Sequence, residues 1–312
     1  MREMIINGVR IRPGQSLNLE IAIARLPTHT LIDLPVFIRS AKLPGPSVLI
    51  SGGVHGDEIN GIVAVKQMLE DGLFVPIKGT LIFIPLVNVY GFLSNSRTFP
   101  DGRDLNRSFP GSNKGSLASQ IAYILTHQII PQIDYGIDFH TGGRMLSNFP
   151  QVRVDFRDKK GLRLAEAFGA HFTVNSPPID KSFRKEAYKM KKHILVYEGG
   201  ESMRLDDRVI SEGIAGTRRM LTHLGMIDGE VSESRTMKLR ESSWTRAKVS
   251  GIFTPNVSQG EEVRKGQVMA RITDPYGQVK VPVKSSVNGF VIGINNQPVI
   301  NAGDALIHIG KM

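Results

Sequence analysis

The run Pro46-Ser47-Val48-Leu49-Ile50-Ser51 is apolar and ends at Gly52-Gly53, the pattern of a strand that runs into a glycine turn. Over residues 58–71 the apolar positions change period and recur at Ile62, Val65, Met68 and Leu69, which predicts a helix. A second apolar run over 80–85 ends in a loop, and 116–130 predicts another helix, with Leu117, Ile121, Ile124 and Leu125 on one stripe. Residues 135–140 predict a short strand. Strand and helix then alternate through 162–169, 193–197 and 210–224, the pattern of an α/β sheet flanked by helices. This texture assigns residues 1–228 to a first domain.

Beyond Gly229-Glu230-Val231-Ser232-Glu233-Ser234 the helical stripes vanish, and short valine and isoleucine runs alternate with glycine turns. Residues 229–312 are therefore expected to form a small all-β domain. Two stretches in it are weakly alike, Gly251-Ile252-Phe253-Thr254-Pro255-Asn256-Val257 ending in Gly260 and Gly266, and Gly289-Phe290-Val291-Ile292-Gly293 ending in Gly303. Such an internal repeat predicts two interlocked halves of a barrel.

Composition narrows the chemistry. The 312 residues, 41% of them hydrophobic and 22% charged, suit about two ordered domains. The longest apolar run, around residues 80–90, contains Pro85 and Asn88 and is too short for a bilayer, so the expectation is a soluble protein. The opening Met1-Arg2-Glu3-Met4-Ile5-Ile6-Asn7-Gly8 lacks the apolar core of a secretory signal, which points to the cytoplasm. With no cysteine, any metal must be held by histidine and carboxylate. The net charge of +10 suggests attraction for anionic small molecules; nucleic acid is not expected, because the lysines and arginines are scattered and aromatics are only 7%.

The strongest chemical signal is His55-Gly56-Asp57-Glu58, directly after the first strand and its glycines. An imidazole and a carboxylate three residues apart, where a loop enters a helix, can converge on one ion at the carboxyl end of a strand. Alone the pair reads equally as a polar loop histidine and a first-turn carboxylate favoured by the helix dipole. His140, at the end of another strand, changes that: two histidines and one carboxylate leave a fourth position for water, as catalytic zinc sites do. The remaining histidines, His29, His127, His171, His193, His223 and His308, have no comparable company and read as surface or core residues. Between the metal segments, Arg97, Arg103 and Arg107 share a loop with Asp101 and Asp104. The loop is either a salt-bridged connection or a set of guanidinium forks that grip a substrate carboxylate and stabilise an oxyanion.

Taken in register, His55-Gly-Asp-Glu58, Asp104-Leu-Asn-Arg107-Ser-Phe-Pro-Gly, Asp138-Phe-His140-Thr and Val196-Tyr-Glu198 resemble the succinylglutamate desuccinylase and aspartoacylase family, which has a zinc carboxypeptidase-like fold. The matching order covers about residues 45–200. The resemblance implies a mixed sheet flanked by helices, one zinc ion on His55, Glu58 and His140, and Glu198 as the catalytic carboxylate. It further implies Asn106 and Arg107 as a clamp for a substrate carboxylate and Arg97 at the scissile carbonyl. Asp104 is expected to fix the ring of His55, its alternative being a turn cap. Glu198 closes an apolar run before Gly199-Gly200, a strand end from which it would project into a cleft; its rival, Glu201, reads as a helix start. Pro255-Asn256-Val257, Gly260-Glu261-Glu262-Val263 and Lys265-Gly266-Gln267-Val268 resemble the barrel-sandwich domain of biotinyl and lipoyl carriers. Thr273-Asp274-Pro275-Tyr276-Gly277 stands where a carrier has its modified lysine and Lys280 comes too late, so neither biotin nor lipoate is expected.

The reading that follows is a zinc-dependent amidohydrolase. It would cleave a small anionic N-acyl amino acid or similar N-acyl amine by metal-activated water with a glutamate base. Cobalt or manganese would suit the same ligands. No membrane partner is expected, and a homo-oligomer is compatible with the reading. Its rivals are a metallocarboxypeptidase acting on short peptides and a non-enzymatic zinc-binding or interaction protein.

Overall fold

The structure, a computed structural model, describes residues 3–25, 28–70, 72, 74–230 and 235–312. The chain opens with a hairpin, β1 (Met4–Ile6) and β2 (Val9–Ile11), and two long strands, β3 (Ser16–Arg25) and β4 (Leu31–Ser40). Then come β5 (Leu43–Gly52), α1 (Ile59–Glu70), β6 (Lys78–Ile84), α2 (Val89–Leu93), α3 (Leu117–Ile124), β7 (Tyr135–Gly142), β8 (Leu146–Val154), α4 (Lys159–Phe168), β9 (Phe172–Asn175), α5 (Phe183–Lys189), β10 (His193–Glu201) and α6 (Asp207–His223). After α6 every described element is a strand: β11 (Met237–Leu239), β12 (Glu241–Arg246), β13 (Gly251–Pro255), β14 (Glu262–Val263), β15 (Val268–Thr273), β16 (Lys280–Lys284), β17 (Gly289–Asn295), β18 (Val299–Ile300) and β19 (Ala305–Lys311). The change of texture foreseen at 229–234 lies partly outside the described residues, at 231–234.

The α/β alternation is realised as a mixed sheet. Its centre is four parallel strands in the order β10-β7-β5-β6; β4 and then β3 extend it antiparallel beyond β6, and β8 runs antiparallel beside β10. The central strands β5, β6, β7 and β10 are mostly apolar, with both of their faces covered, and their polar residues gather towards the site. Along β5, Leu49 joins the core beneath α3, whereas Val48 and Ile50 join the opposite core with α1, α4 and α6, as the two-residue period of a strand requires. The same alternation on β7 sends Ile137 and Phe139 into the second core and leaves Asp138 and His140 facing the other side.

Helix α1 buries Val65 and Met68 of the expected stripe and widens that stripe with small residues. Gly61, Ala64, Val65 and Met68 are buried, while Ile62 and Leu69 are half-buried. The reason is close approach: a Cβ on Gly61 would sit 2.5 Å from Cβ of Phe139, and one on Gly52 would sit 2.8 Å from the carbonyl carbon of Gly61. Small residues let α1 lie directly against β5 and β7, which fixes the loop between β5 and α1. The predicted end of this helix at Asp71 lies outside the described residues. The helix expected over 116–130 is α-helical only to Ile124; it widens to a π-helical turn at Leu125–Ile129 and ends in a 3-10 turn at Ile130–Gln132. Pro131 cannot donate the bond to residue 127 that a continued α-helix needs.

The C-terminal strands form a second layered unit on the end of the same sheet. A separate sheet, β16-β15-β13-β18, packs across Phe253, Val263, Met269, Ile272, Val291 and Ile307. The two similar stretches interlock: β13, from the first, pairs with β18 behind the second, and β14, behind the first, pairs with β17 from the second. Strand β17 also pairs with β8, Gly293 against Asn148, so the main sheet continues from the α/β layers into this region. No helix among the described residues is long and apolar enough to cross a membrane.

Candidate active site

The carboxyl ends of β5, β7 and β10 meet at one cleft, where open α/β sheets bind their ligands. After β5 the chain turns at Gly53, whose φ of 63° is the left-handed region that suits glycine, and reaches His55 and Glu58 before α1 begins. His140 stands on β7. Its register partner on β10 is Glu198, so the two side chains leave the sheet side by side.

His55, Glu58 and His140 are all buried, and one ligand atom from each lies within 4.8 Å of the others. The Nδ1 atom of His55 lies 2.8 Å from Oε1 of Glu58, Nδ1 of His140 lies 2.8 Å from Oε2, and the two Nδ1 atoms are 3.2 Å apart. Each ring is gripped on its far side: Nε2 of His55 meets Oδ1 of Asp104 at 3.2 Å, and Nε2 of His140 meets Oδ2 of Asp138 at 2.8 Å. Ser51 Oγ and Thr141 N donate in turn to Asp138 and Glu58. Two imidazole nitrogens facing each other over a buried carboxylate need positive charge among them, and carboxylates behind the rings orient both lone pairs inward. The donor set, two nitrogens and a carboxylate with no sulfur, can hold a divalent metal.

The electrostatics agree with that reading. Burial favours neutral Glu58, but the charges of His55 and His140 outweigh it and hold the carboxyl well below its ordinary range. Burial depresses His140 too, yet Asp138 and Glu58 overcome it and raise its pKa well above the usual imidazole value; His55 is raised similarly, by Glu58 and Asp104 against burial. Burial favours neutral Asp104, but the hydrogen bond to His55, the charges of His55 and Arg97 and the Asn106 N–H together outweigh it and hold the carboxyl low. Asp104 also accepts from the backbone N–H of Asn106 at 2.8 Å, so ring partner and turn cap are one residue.

Arg97 lies across this set, with Nη1 3.1 Å from Glu58 Oε1 and Nη2 3.1 Å from Asp104 Oδ2. Asn106 and Arg107 line the same cleft; the Oδ1 of Asn106 accepts from Phe183 N at 2.9 Å, and Arg107 Nη1 donates to the Asn106 carbonyl. Arg103 is exposed and pairs with Asp101. Glu198 stands inside β10 rather than at its end, because the strand continues to Glu201 past a register shift and Gly200, whose φ is 72°. Glu201 starts no helix: α6 is capped by Asp206, and Glu201 accepts from Asn296 Nδ2 at 2.7 Å.

Four side chains at or behind the site carried no expected role in the sequence. Asp138, two residues before His140, necessarily shares its strand face, a signal that was readable. Asn148 Nδ2 donates to Glu198 Oε2 at 2.8 Å, and Arg153 Nη1 lies 3.3 Å from Oε1. Arg184 is half-buried behind them, bound to Arg153 O and Ser176 Oγ, with its pKa pushed down to about 10 by desolvation and by Arg153. These last three sit on β8 and α5, which reach the cleft only through topology. The cleft, of about 180 Å³, has fifteen lining residues, and only Ile179 and Val196 are apolar.

Residues 44–224 match the catalytic domain of succinylglutamate desuccinylase and aspartoacylase. The chain is similar to the N-alpha-acetyl-L-2,4-diaminobutyric acid deacetylase of Halomonas elongata, at 28% identity over 285 residues that span 86% of this chain and 83% of the relative. It is also similar to the product-bound ectoine utilization protein EutE (DoeB) of Ruegeria pomeroyi, at 26% identity with a TM-score of 0.85 over 96% of both chains. A succinylglutamate desuccinylase/aspartoacylase of Rhodobacter sphaeroides matches at 27% identity, also with a TM-score of 0.85 over 96% of both chains.

Proposed function

Because the chain belongs to the succinylglutamate desuccinylase/aspartoacylase family, we propose that it is a zinc-dependent deacylase that hydrolyses the amide of a small, anionic N-acyl amino acid in the cytoplasm. The observation that carries this reading is the convergence of His55 Nδ1, His140 Nδ1 and the Glu58 carboxylate, each ring backed by an aspartate. Those three residues would hold the metal. When bound, zinc supplies Lewis acidity that makes water acidic near neutral pH and polarises a carbonyl.

Glu198, beside His140, takes the proton from the attacking water and returns it to the leaving amine. Arg97 lies next to the ligand set, where the carbonyl oxygen gains negative charge, and its guanidinium stabilises that charge. Arg107 and the side-chain Nδ2 of Asn106 bind the substrate carboxylate; Asn106 Oδ1 accepts from Phe183 N, so the side-chain amide presents its donor side. The polar cleft wall favours a small charged amine product over the apolar side chains that a peptidase must seat. The C-terminal unit, 229–312, is read as a β domain that shares the main sheet and carries neither biotin nor lipoate.

Metal analysis by plasma mass spectrometry, paired with amine release from a substrate panel, tests the reading. The panel holds N-acetyl-2,4-diaminobutyrate, N-acetylaspartate, N-succinylglutamate and several dipeptides. About one zinc per chain, lost in His55→Ala together with amine release from one acyl class, is expected. In Glu198→Gln the zinc stays and kcat falls by ~10²–10⁴-fold. Native turnover in Glu198→Gln, release from dipeptides alone, or native protein with neither zinc nor activity would sink it.

A further inference from the structure

Directly after Glu198 the strand ladder is interrupted. The pairing of β10 with β8 shifts register between Glu198 and Gly200, and the pairing with β7 shifts between Glu198 and Glu201. Glu198 is thus the last residue before the bulge that is in register on both sides, with His140 and Gln151, and what grips its carboxylate decides the direction of the side chain. Two side chains grip it: half-buried Arg153 pairs with Oε1 at 3.3 Å, and Asn148, which is buried, donates the shorter hydrogen bond to Oε2 at 2.8 Å.

Asn148 is itself held from the C-terminal strands. Its backbone pairs with Gly293 of β17, and a Cβ on Gly293 would lie 2.9 Å from the Asn148 Oδ1 atom and 3.3 Å from Cβ of His308. Glycine is therefore the residue that leaves the Asn148 amide room to lie as it does. Other bonds tie the same segment to the same region: Gln259 Nε2 donates to Ser147 O at 2.9 Å, Gln151 Nε2 donates to Ile292 O at 3.1 Å, and Asn296 N donates to Met145 O at 2.8 Å. Asn296 Nδ2 also holds Glu201, at the far end of the bulge that follows Glu198.

We propose that Asn148 is a positioning residue for Glu198 and that Gly293 sets the place of Asn148, so that the C-terminal β region aligns the catalytic carboxylate. The proposal rests on Glu198 being the proton carrier. A displacement of about 1 Å at a reacting group costs on the order of 10²-fold in rate, so an anchor of this kind acts on kcat and leaves substrate binding alone.

The test compares Asn148→Asp, Asn148→Ala, Gly293→Ala and Glu198→Gln on the panel member that the native protein turns over fastest. Asn148→Asp keeps the shape of the side chain and replaces the donor with an acceptor, which separates positioning from folding. The expected result is a kcat about 10²-fold lower in both Asn148 variants, a smaller loss of the same kind in Gly293→Ala, unchanged KM and undiminished zinc. A crystal structure of Asn148→Ala should show the Glu198 carboxylate swung away by about 1 Å. Native kcat in the Asn148 variants alongside an inactive Glu198→Gln overturns this inference and leaves the deacylase reading standing. Native turnover in Glu198→Gln overturns both. If no panel member is turned over, the crystal structure decides, and a Glu198 carboxylate unmoved without Asn148 overturns the inference.

Discussion

Asp138 shows how much a single side chain sets here. It shares a strand face with His140, bonds that ring at 2.8 Å and is itself anchored by Ser51. A carboxylate behind a ligating imidazole fixes the tautomer and makes the inward nitrogen a better donor; losing such a partner typically costs 10–100-fold in metal affinity. Asp138→Asn, which keeps the shape and removes the charge, should weaken zinc binding by about that factor, measured by competition with a chromophoric chelator. Affinity equal to native would mean the partner is idle. At this scale the sequence was most informative. His55, Glu58 and His140 stand at strand and loop ends with the right chemistry, and the fold brings them together. Asn148 and Arg153 left no local trace, because nothing within a few residues of either says which strand will lie alongside.

Among elements, the C-terminal strand β19 carries a titratable group in an apolar place. His308 is buried, stacks on Trp244 of β12 at 4.6 Å with 10° between the rings, and its Nδ1 has no hydrogen-bond partner among the described residues. Burial pushes its pKa down to about 3, with nearby Arg153 adding to the shift. A depressed folded-state pKa means that the folded protein binds fewer protons than the unfolded chain. The stability contribution is therefore complete above pH ~6.5 and is lost as pH falls towards 3. Between pH 7 and 5 the loss is about 2 kcal/mol, which urea unfolding at the two pH values should read. His308→Phe, which preserves the stack, should remove most of that slope; an unchanged slope would assign it to other groups. Elements were legible where one period persisted, as in β5 and α6. The rest was set by tertiary contacts: Gly61 against Phe139 widened the buried stripe of α1 beyond Val65 and Met68, and the π-helical turn before Pro131 left no mark in the apolar spacing.

Across the whole molecule the change of texture near residue 229 is plain in the sequence, but the manner of joining is not. Strand β17 docks on β8, β11 docks on β9, and Phe149, Phe172, Val174, Leu239 and Ile292 form one apolar cluster that draws on both parts of the chain. Register between strands more than a hundred residues apart is a property of the folded sheet, and no local window contains it. A shared sheet and a shared cluster couple the two parts, so calorimetry should record one unfolding transition whose calorimetric and van 't Hoff enthalpies agree. Two resolved transitions would show that the parts melt independently.

The docking of β17 and β11 also closes a liability. Strand β8 lends residues 146–148 to β17, and β9 lends 172–174 to β11; without those partners both would present bare amide and carbonyl groups beside apolar side chains. A chain cut at residue 228 should recruit other copies along these edges and scatter light as it refolds, where the full chain stays dispersed. In the living cell the same exposure lasts from the moment β9 leaves the ribosome until β17 follows it, an interval of about 10 s at common synthesis rates. The C-terminal strands thus shield the sheet that they complete.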